Sequence, residues 1–293
     1  MRNEAFSDKS AIQNALTIDV EDYFHVSAFE GSIDRSDWSS YPSRVSSNTI
    51  RLMDLLEQYQ IKATFFVLGW VAEREQNLIR EIARRGHEVA CHGYSHQLVY
   101  NQTPGLFREE TIRSKQLLED IVQVPVRGYR AASYSITKRS RWALDILAEV
   151  GFIYDSSIFP IRHDRYGIPD AQEYPYRLET QSGHSLVEFP LSTVKVFGYR
   201  FPIAGGGYFR LYPYQLTRAG LKQVNRQNQP FIFYLHPWEI DPDQPAVSAG
   251  WMSRFRHYNN LDKCECRLKR LLGDFSFGRA QDVLHSMNFL ELQ

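Results

Sequence analysis

Three short clusters of residues in this sequence have types and spacing suited to catalysis. One is acidic, Asp19-Val20-Glu21-Asp22; one holds two histidines, His92-Gly93-Tyr94-Ser95-His96; and one is Leu235-His236-Pro237-Trp238-Glu239. Two imidazoles four residues apart can reach a single ion, and one added carboxylate completes a ligand set suited to zinc or another divalent ion. Water bound to such an ion ionises near neutral pH, and a second carboxylate is free to act as a general base. The clusters therefore favour metal-assisted hydrolysis, although nine histidines also produce an i, i+4 pair by chance.

Each cluster directly follows a run of residues with the composition of a strand. Strands are predicted at 15–18, 63–68, 87–91, 126–131 and 231–235. Helical patterns separate most of these runs, which predicts βαβ units and a mostly parallel sheet. Because ligands bind at the carboxyl ends of the strands in such folds, the three clusters are expected to meet at one edge.

The segments between the strands are less uniform. Helices are predicted at 77–85, 109–121, 138–150 and 261–272, and a further one that begins near Ser46-Ser47-Asn48. Residues 154–181 show no clear period and are predicted to be a long loop or irregular insert. The run Gly205-Gly206-Gly207 is predicted to be a turn or a loop of close approach.

Composition narrows the class of protein. The chain has 293 residues, with 34 Lys+Arg balanced by 34 Asp+Glu, so it lacks the basic surface of a general nucleic-acid binder. Its three cysteines, Cys91, Cys264 and Cys266, suit neither a disulfide framework nor a zinc site and are expected to be reduced. No apolar run has the length of a membrane span, and the polar N-terminus does not have the pattern of a signal peptide. A cytoplasmic location is the expectation.

The order of the motifs resembles that of the polysaccharide deacetylases with a NodB-type domain (carbohydrate esterase family 4). The matching segments are Thr17-Ile18-Asp19-x-Glu21, the stretch 88–96 with its two histidines, Gly128-Tyr129-Arg130-Ala131 and Leu235-His236. The chain, including 255–261, further resembles the subgroup found with exopolysaccharide and exosortase loci. The resemblance implies an α/β fold, a distorted (β/α) barrel of about seven strands over residues 11–240. It also implies an N-terminal tail at 1–10 and a C-terminal extension, 241–293, packed on the barrel.

The resemblance also implies a reaction: metal-dependent hydrolysis of N-acetyl groups on an amino-sugar polysaccharide or oligosaccharide. Asp19 would be the general base, Arg130 would hold its charge and orientation, and His236 would be the general acid. The metal, with zinc expected, would be held by Glu21, His92 and His96.

The same resemblance implies the residues of the substrate pocket. Leu235 and Trp238 would wall the acetyl group, and Ser133 and Tyr134 would contact the substrate, with a backbone N–H near Ser133 facing the oxyanion. The acetylated glycan is the expected partner, and neither nucleic acid nor a membrane span is expected.

Two departures from the family pattern matter. Family members commonly have two adjacent aspartates, whereas here Val20 intervenes and either Glu21 or Asp22 must supply the acidic ligand. The period of two along a strand favours Glu21, and a bulge would favour Asp22. The third motif has Ala131, Ala132 and Ser133 where prolines are usual, which leaves the oxyanion donor open.

Two other functions remain compatible with the sequence. One is a metal-free amidohydrolase of the same fold that acts on a small amide or ureide, and the other is a non-catalytic glycan-binding protein. Weaker candidates for the site are His25, the segment 163–165 and the segment 205–210, each of which is also explained as an ordinary structured loop.

Overall fold

The computed structural model describes residues 12–180 and 183–291, so the tail expected at 1–10 lies outside the described residues. The strands in these ranges are β1 (Gln13–Val20), β2 (Thr64–Val67), β3 (Glu88–Cys91), β4 (Gly128–Tyr129), β5 (Tyr154–Asp155), β6 (Tyr176–Glu179), β7 (Ser185–Glu188), β8 (Thr193–Val196), β9 (Tyr199–Pro202), β10 (Ile232–Leu235) and β11 (Ser276–Gly278). The helices are α1 (Val45–Gln58), α2 (Gly69–Arg74), α3 (Gln76–Arg84), α4 (Pro104–Val122), α5 (Trp142–Glu149), α6 (Gly206–Leu211), α7 (Tyr214–Arg226), α8 (Trp251–Tyr258), α9 (Leu261–Asp274) and α10 (Ala280–Ser286).

One large sheet organises the molecule. Its strands follow the order β10-β1-β2-β3-β4-β5-β7, and each neighbouring pair in this series is parallel. β6 adds to β7 in antiparallel orientation, β11 pairs in parallel with β1, and β8 and β9 form a separate hairpin. The seven parallel strands of this series, together with the helices between them in the described chain, confirm the predicted α/β fold of the distorted barrel type.

The two faces of the sheet pack into different hydrophobic clusters. On β1, Ala15 belongs to an inner cluster, whereas Leu16 and Ile18 belong to an outer cluster beneath the helices. Because side chains alternate along a strand, Asp19 falls on the same face as Ala15. The alternation therefore directs this carboxylate towards the interior, while its neighbours anchor the strand to the helices.

The C-terminal segment contributes to this interior. α10 places Ala280, Val283 and Leu284 in the inner cluster, and the Ala280 amide donates to Thr64 Oγ1 at 2.8 Å. β11 lies against the first residues of β1, from Gln13 to Ala15, at the end opposite Asp19. Residues after 240 thus complete the core at the amino ends of the strands.

Several elements differ from the sequence prediction. α4 begins five residues earlier than predicted because Thr103 accepts a hydrogen bond from the Leu106 amide, with Pro104 in the first turn. The segment predicted as an irregular insert contains β5 and β6. Gly205 does make a close approach, since a Cβ there would lie 1.9 Å from the Tyr234 carbonyl oxygen, but Gly206 already begins α6.

Two smaller observations complete the fold. The three cysteines are free thiols, with Cys91 at the end of β3 and Cys264 and Cys266 on α9, as predicted. Within the described ranges, every helix is too short or too polar to cross a bilayer.

Candidate active site

The carboxyl ends of β1, β3 and β10 meet at one cavity of about 400 Å³. Eight of the predicted residues line it, and five of these, Asp19, Glu21, His92, His96 and His236, come from the ends of these strands or the loops that follow them. Parallel strands direct their ends to the same edge of the sheet, so residues more than 200 positions apart come together there. The structure therefore brings the three sequence clusters into one site.

Glu21, His92 and His96 form a compact group of side chains that could hold a metal ion. One ligand atom from each lies within 4.8 Å of the others, and all three side chains are buried. The Nδ1 atom of His92 is hydrogen-bonded to the Arg130 carbonyl at 2.8 Å, which leaves Nε2 free to face the group. Glu21 Oε2 lies 2.8 Å from His96 Nε2, but the two groups are not oriented for a hydrogen bond, and this oxygen has no other partner in the described chain. Two imidazoles and an unsatisfied buried carboxylate oxygen fit a divalent metal ion.

Asp22 has a different task, although it is equally buried. Its Oδ2 accepts hydrogen bonds from the Arg44 and Val45 amides at 2.7 and 3.0 Å, and its Oδ1 accepts one from the Tyr23 amide. The carboxylate therefore caps α1 and the short turn after β1. Of the two acidic residues that the sequence left open, Glu21 is the one grouped with the histidines.

Asp19 lies beside the ligand group and is paired with a buried arginine. Arg130 Nη1 donates to Asp19 Oδ1 at 2.6 Å, and the same guanidinium bonds Thr17 Oγ1, Ser156 Oγ and the Ser156 carbonyl. In the described part of the chain, Asp19 Oδ2 accepts a single hydrogen bond, from the Tyr134 hydroxyl at 3.5 Å. One oxygen is thus fixed by the arginine, and the other is available to a molecule in the cavity.

His236 also lines the cavity and lies close to these groups. Its Nε2 lies 3.4 Å from Glu21 Oε1 and 3.9 Å from Asp19 Oδ2, and its Nδ1 is 3.1 Å from Glu239 Oε2. Glu239 in turn accepts from Arg210 Nε at 2.7 Å, and both of these side chains are buried. Carboxylates therefore face both nitrogens of the ring and orient it.

The pKa values agree with this division of roles. Burial lowers the pKa of His92 to about 4, so the ring is neutral at pH 7, the form that binds metals. Burial opposes ionisation of Glu21, but His96 and His236 outweigh it and lower the pKa of this carboxyl. Burial also opposes the charge on His236, yet Glu21 and Glu239 raise its pKa to about 9. The imidazolium form of His236 is thus favoured.

The loop after β4 contains two residues with left-handed backbone. Ser133 has φ 50° and Tyr134 has φ 53°, a conformation that costs a side-chain-bearing residue about 1–3 kcal/mol and often marks a functional loop. The Tyr134 amide donates to the Ala131 carbonyl, whereas in the described ranges the Ser133 amide donates to no protein acceptor. The Ser133 N–H is therefore a free donor at the cavity wall.

The walls of the cavity differ in part from the prediction. Ser133, Tyr134 and Trp238 line it as expected, and Tyr234 joins them. Leu235 does not line it: the side chain is fully buried in the outer hydrophobic cluster. The reason is the alternation along β10, which turns Tyr234 inward and Leu235 to the opposite face.

The weaker candidates separate into three groups. His25 lies outside the cavity lining, and its Nδ1 accepts from the Asp22 amide at 2.9 Å as part of a turn. His163, Arg165 and Tyr208 line the outer part of the cavity. Arg210 lies beneath the site, where it donates to Glu239 and to backbone carbonyls of 256, 257 and 259.

The residues that support the site from behind were not among those predicted from the sequence. Ser157 Oγ accepts from the Ala131 amide at 2.8 Å and donates to Asp155, so the end of β5 holds the loop after β4. The pairing of Glu239 with Arg210 was missed as well. The spacing His236-x-x-Glu239 was a usable signal for the first contact, but no local pattern indicates the arginine.

Comparison with solved structures gives the class of this fold. The chain is similar to a putative polysaccharide deacetylase from Mycobacterium smegmatis, with a TM-score of 0.66, 21% identity, and coverage of 99% of this chain and 95% of the other. It is also similar to the allantoinase PuuE, with a TM-score of 0.62, 14% identity, and coverage of 98% and 94%. At these identities the likeness concerns the fold, which both proteins share with this chain.

The family follows from the sequence matches. Residues 36–152 match the family model "Polysaccharide deacetylase", and residues 156–285 match "Domain of unknown function (DUF3473)". Residues 36–152 are thus a polysaccharide deacetylase domain, which confirms the resemblance. His92, His96 and Arg130 fall in the first match and His236 in the second, so the site is built from both.

Curated relatives match a shorter region. A peptidoglycan-N-acetylglucosamine deacetylase from Bacillus cereus is 36% identical over 98 residues, which is 33% of this chain and 36% of that protein. A chitooligosaccharide deacetylase from Bradyrhizobium is 29% identical over 97 residues, which is 33% of this chain and 42% of that protein. The chain thus spans about a third of the length of the first-ranked curated relatives.

Proposed function

We propose that this protein hydrolyses N-acetyl groups on an amino-sugar glycan with the aid of a divalent metal ion, zinc being the expected one. The observation that carries the proposal is the convergence of Glu21, His92 and His96 next to the Asp19–Arg130 pair in one cavity. The relatives named as deacetylases of peptidoglycan and chitooligosaccharides support the substrate class.

The metal would be held by Glu21, His92 and His96. When bound there, it supplies a Lewis acid for the acetamide carbonyl and favours ionisation of water at neutral pH. The neutral state of His92 and the anionic state of Glu21 are the forms that such an ion needs.

The protein's own groups move the protons. Asp19 accepts the proton of the attacking water through Oδ2, while Arg130 donates to Oδ1 and fixes the orientation of the carboxylate. His236 donates a proton from Nε2 to the nitrogen of the leaving amine, and Glu239 holds the ring from the other side. The products are acetate and a free amine on the sugar.

The growing negative charge on the carbonyl oxygen needs a donor from the protein. The free Ser133 N–H is that donor, and its left-handed backbone keeps it pointed away from the ordinary turn bonds. Tyr134, Tyr234 and Trp238 form the aromatic wall beside the acetyl group.

The test combines acetate release with metal analysis. Wild type, D19N and H92A are incubated with acetylated chitooligosaccharides, and acetate and bound zinc are measured in parallel. We expect H92A to lose both metal and activity, and D19N to keep the metal while kcat falls by about 100-fold or more. The exposed His184 offers a matched control, and H184A is expected to equal wild type.

Two results would contradict the proposal. Turnover that survives complete removal of metal would favour a metal-free amidohydrolase of the same fold. No acetate from any glycan, with the sugar still bound, would favour a binding protein. The grouping of Glu21 with two histidines speaks against the first, and the Asp19–Arg130 pair, which a binder does not need, speaks against the second.

A further inference from the structure

The outer part of the cavity carries two arginines that the proposed chemistry does not use. Arg165 comes from the loop after β5, and Arg256 comes from α8, far apart in the chain, yet both line the same cavity. Arg165 is half-buried and donates to the Ser27 carbonyl at 3.2 Å, which fixes its position, while Arg256 is exposed.

Neither guanidinium has a carboxylate partner among the described residues, which is unlike the other arginines of the site. Arg130 pairs with Asp19 and Arg210 pairs with Glu239. The nearest acidic residue in sequence, Asp164, is 74% exposed and lies 2.9 Å from His163 Nδ1 instead. The rim therefore carries two guanidiniums that form no ion pair with a carboxylate of the described chain.

Among the described residues, no other side chain that lines the rim carries a negative charge that would oppose the two guanidiniums. Burial lowers the pKa of His163, so its ring is neutral at pH 7, and it stacks on Tyr166 with ring centroids 3.8 Å apart. The carboxylates deeper in the cavity, Asp19 and Glu21, are engaged by Arg130 and by the histidines. The charges at the inner end of the cavity are thus paired, whereas the two guanidiniums at its mouth are not.

We propose that Arg165 and Arg256 bind a diphosphate that is attached to the acetylated sugar, so that the substrate is a diphosphate-linked amino sugar. This inference rests on the proposed function and names its substrate class. A guanidinium binds phosphate oxygens through paired N–H groups, and two of them match the two charges of a diphosphate diester. A single carboxylate, as in a uronic acid, would pair with only one of the two guanidiniums.

Two sources supply such a group: a nucleoside diphosphate sugar and a lipid-diphosphate sugar. Phe255 and Leu211 also line the cavity and are 51% and 48% exposed, so a lipid chain leaving the diphosphate would meet apolar side chains there. A nucleoside would not need that contact. Phe255 therefore distinguishes the sources.

The experiment compares charged and neutral ligands in matched variants. For R165Q, R256Q and wild type, Kd is measured by calorimetry for two ligands. One is UDP-N-acetylglucosamine, and the other is methyl N-acetylglucosaminide, which carries the same sugar without a charge. In the same variants, kcat/KM is measured for UDP-N-acetylglucosamine, a prenyl-diphosphate N-acetylglucosamine in detergent micelles, diacetylchitobiose and an acetylated oligosaccharide that contains a uronic acid. R162Q is the control, because Arg162 is exposed in the same loop but does not line the cavity.

We expect each cavity variant to lose about tenfold in affinity and in kcat/KM for the diphosphate ligands only, and R162Q to match wild type. If the natural substrate carries a lipid, F255S should lower kcat/KM for the prenyl-diphosphate substrate alone. If it carries a nucleoside, F255S should leave kcat/KM for both diphosphate substrates unchanged. The variants share one metal site, so chelation of the ion by diphosphate would affect all of them equally.

The inference is overturned if R165Q and R256Q behave as R162Q does, or if wild type prefers the uronate substrate over both diphosphates. If the proposed function itself is wrong, the result is different, because wild type then releases no acetate from any of the substrates. The calorimetric comparison still decides on the arginines in that case.

Discussion

At the residue scale, the adjacent carboxylates Glu21 and Asp22 illustrate how position decides function. Both are buried, but one faces two imidazoles and the other accepts three backbone amides. The two could not be separated from the sequence alone, because the choice depends on whether β1 ends regularly or with a bulge. The Ser43 hydroxyl and the first amides of α1, which meet Asp22, are supplied by a segment 20 residues further on.

The pair provides a test by substitution. We expect E21Q to lose the metal and to remain folded, because the amide is a poor ligand but fills the same space. We expect D22N to keep the metal and to lose about 1–3 kcal/mol in the free energy of unfolding, because its amide group cannot accept all three N–H groups. Metal analysis and urea unfolding check the two halves, and metal loss in D22N with retention in E21Q would reverse the assignment.

Arg130 has a similar dual character, since it holds Asp19 and is itself fully buried. Replacement by methionine, R130M, leaves the Asp19 charge buried without its partner, and we expect a loss of about 3–5 kcal/mol in the free energy of unfolding. The double variant R130M/D19N should recover part of this loss, because the uncompensated charge is gone. Urea unfolding measures both, and equal stability of the two variants would show that the pairing contributes little.

At the scale of elements, the alternation along each strand explains most of what the sequence could predict. The strand before each cluster was correctly located, and so was the edge of the sheet where the clusters meet. The same alternation corrects one prediction, since it places Leu235 on the outer face of β10 and Tyr234 in the cavity. The hairpin of β8 and β9 lacks a distinctive turn sequence, and β11 is only three residues long, so the sequence predicts neither of them.

Glu88, at the start of β3, makes stability depend on pH. It accepts hydrogen bonds from Thr64 and Tyr154 in the inner core, and burial raises its pKa to about 7. The folded state thus holds a proton that the unfolded chain, with a pKa of 4.5, has released. The stabilisation is complete below pH 4.5 and is lost as the pH rises through 7.

The variant E88Q, which cannot ionise, isolates this effect. We expect its free energy of unfolding, relative to wild type, to increase by about 2 kcal/mol between pH 5 and pH 8. Urea unfolding at a series of pH values gives the difference directly, and groups elsewhere in the chain cancel in it. A difference that is constant over this range would mean that Glu88 is ionised in the folded protein.

At the scale of the whole molecule, the site depends on segments that are distant in sequence. Arg210 donates both to Glu239, 29 positions away, and to the His257 carbonyl on α8, 47 positions away. The sequence could not predict this, because a buried arginine bound to carbonyl groups has no local signature. Near the C-terminal end of the described chain, α10 packs into the inner cluster.

The contribution of α10 to stability is testable at a distance from the site. Leu284 is fully buried in the inner cluster, so we expect L284A to lower the free energy of unfolding by about 2–5 kcal/mol. Leu216 on α7 is 62% exposed, and L216A should change it by less than about 0.5 kcal/mol. Thermal and urea unfolding compare the two, and equal effects would show that α10 is not part of the cooperative core.

The central claim is that Glu21, His92 and His96 hold one divalent metal ion beside Asp19. The most direct measurement is an anomalous difference map, recorded at the zinc edge from a crystal grown with zinc. The account predicts one strong peak within bonding distance of all three side chains, with Asp22 still bound to the start of α1. A fully occupied peak elsewhere, or imidazoles at 92 and 96 that turn away from an empty site, would contradict it.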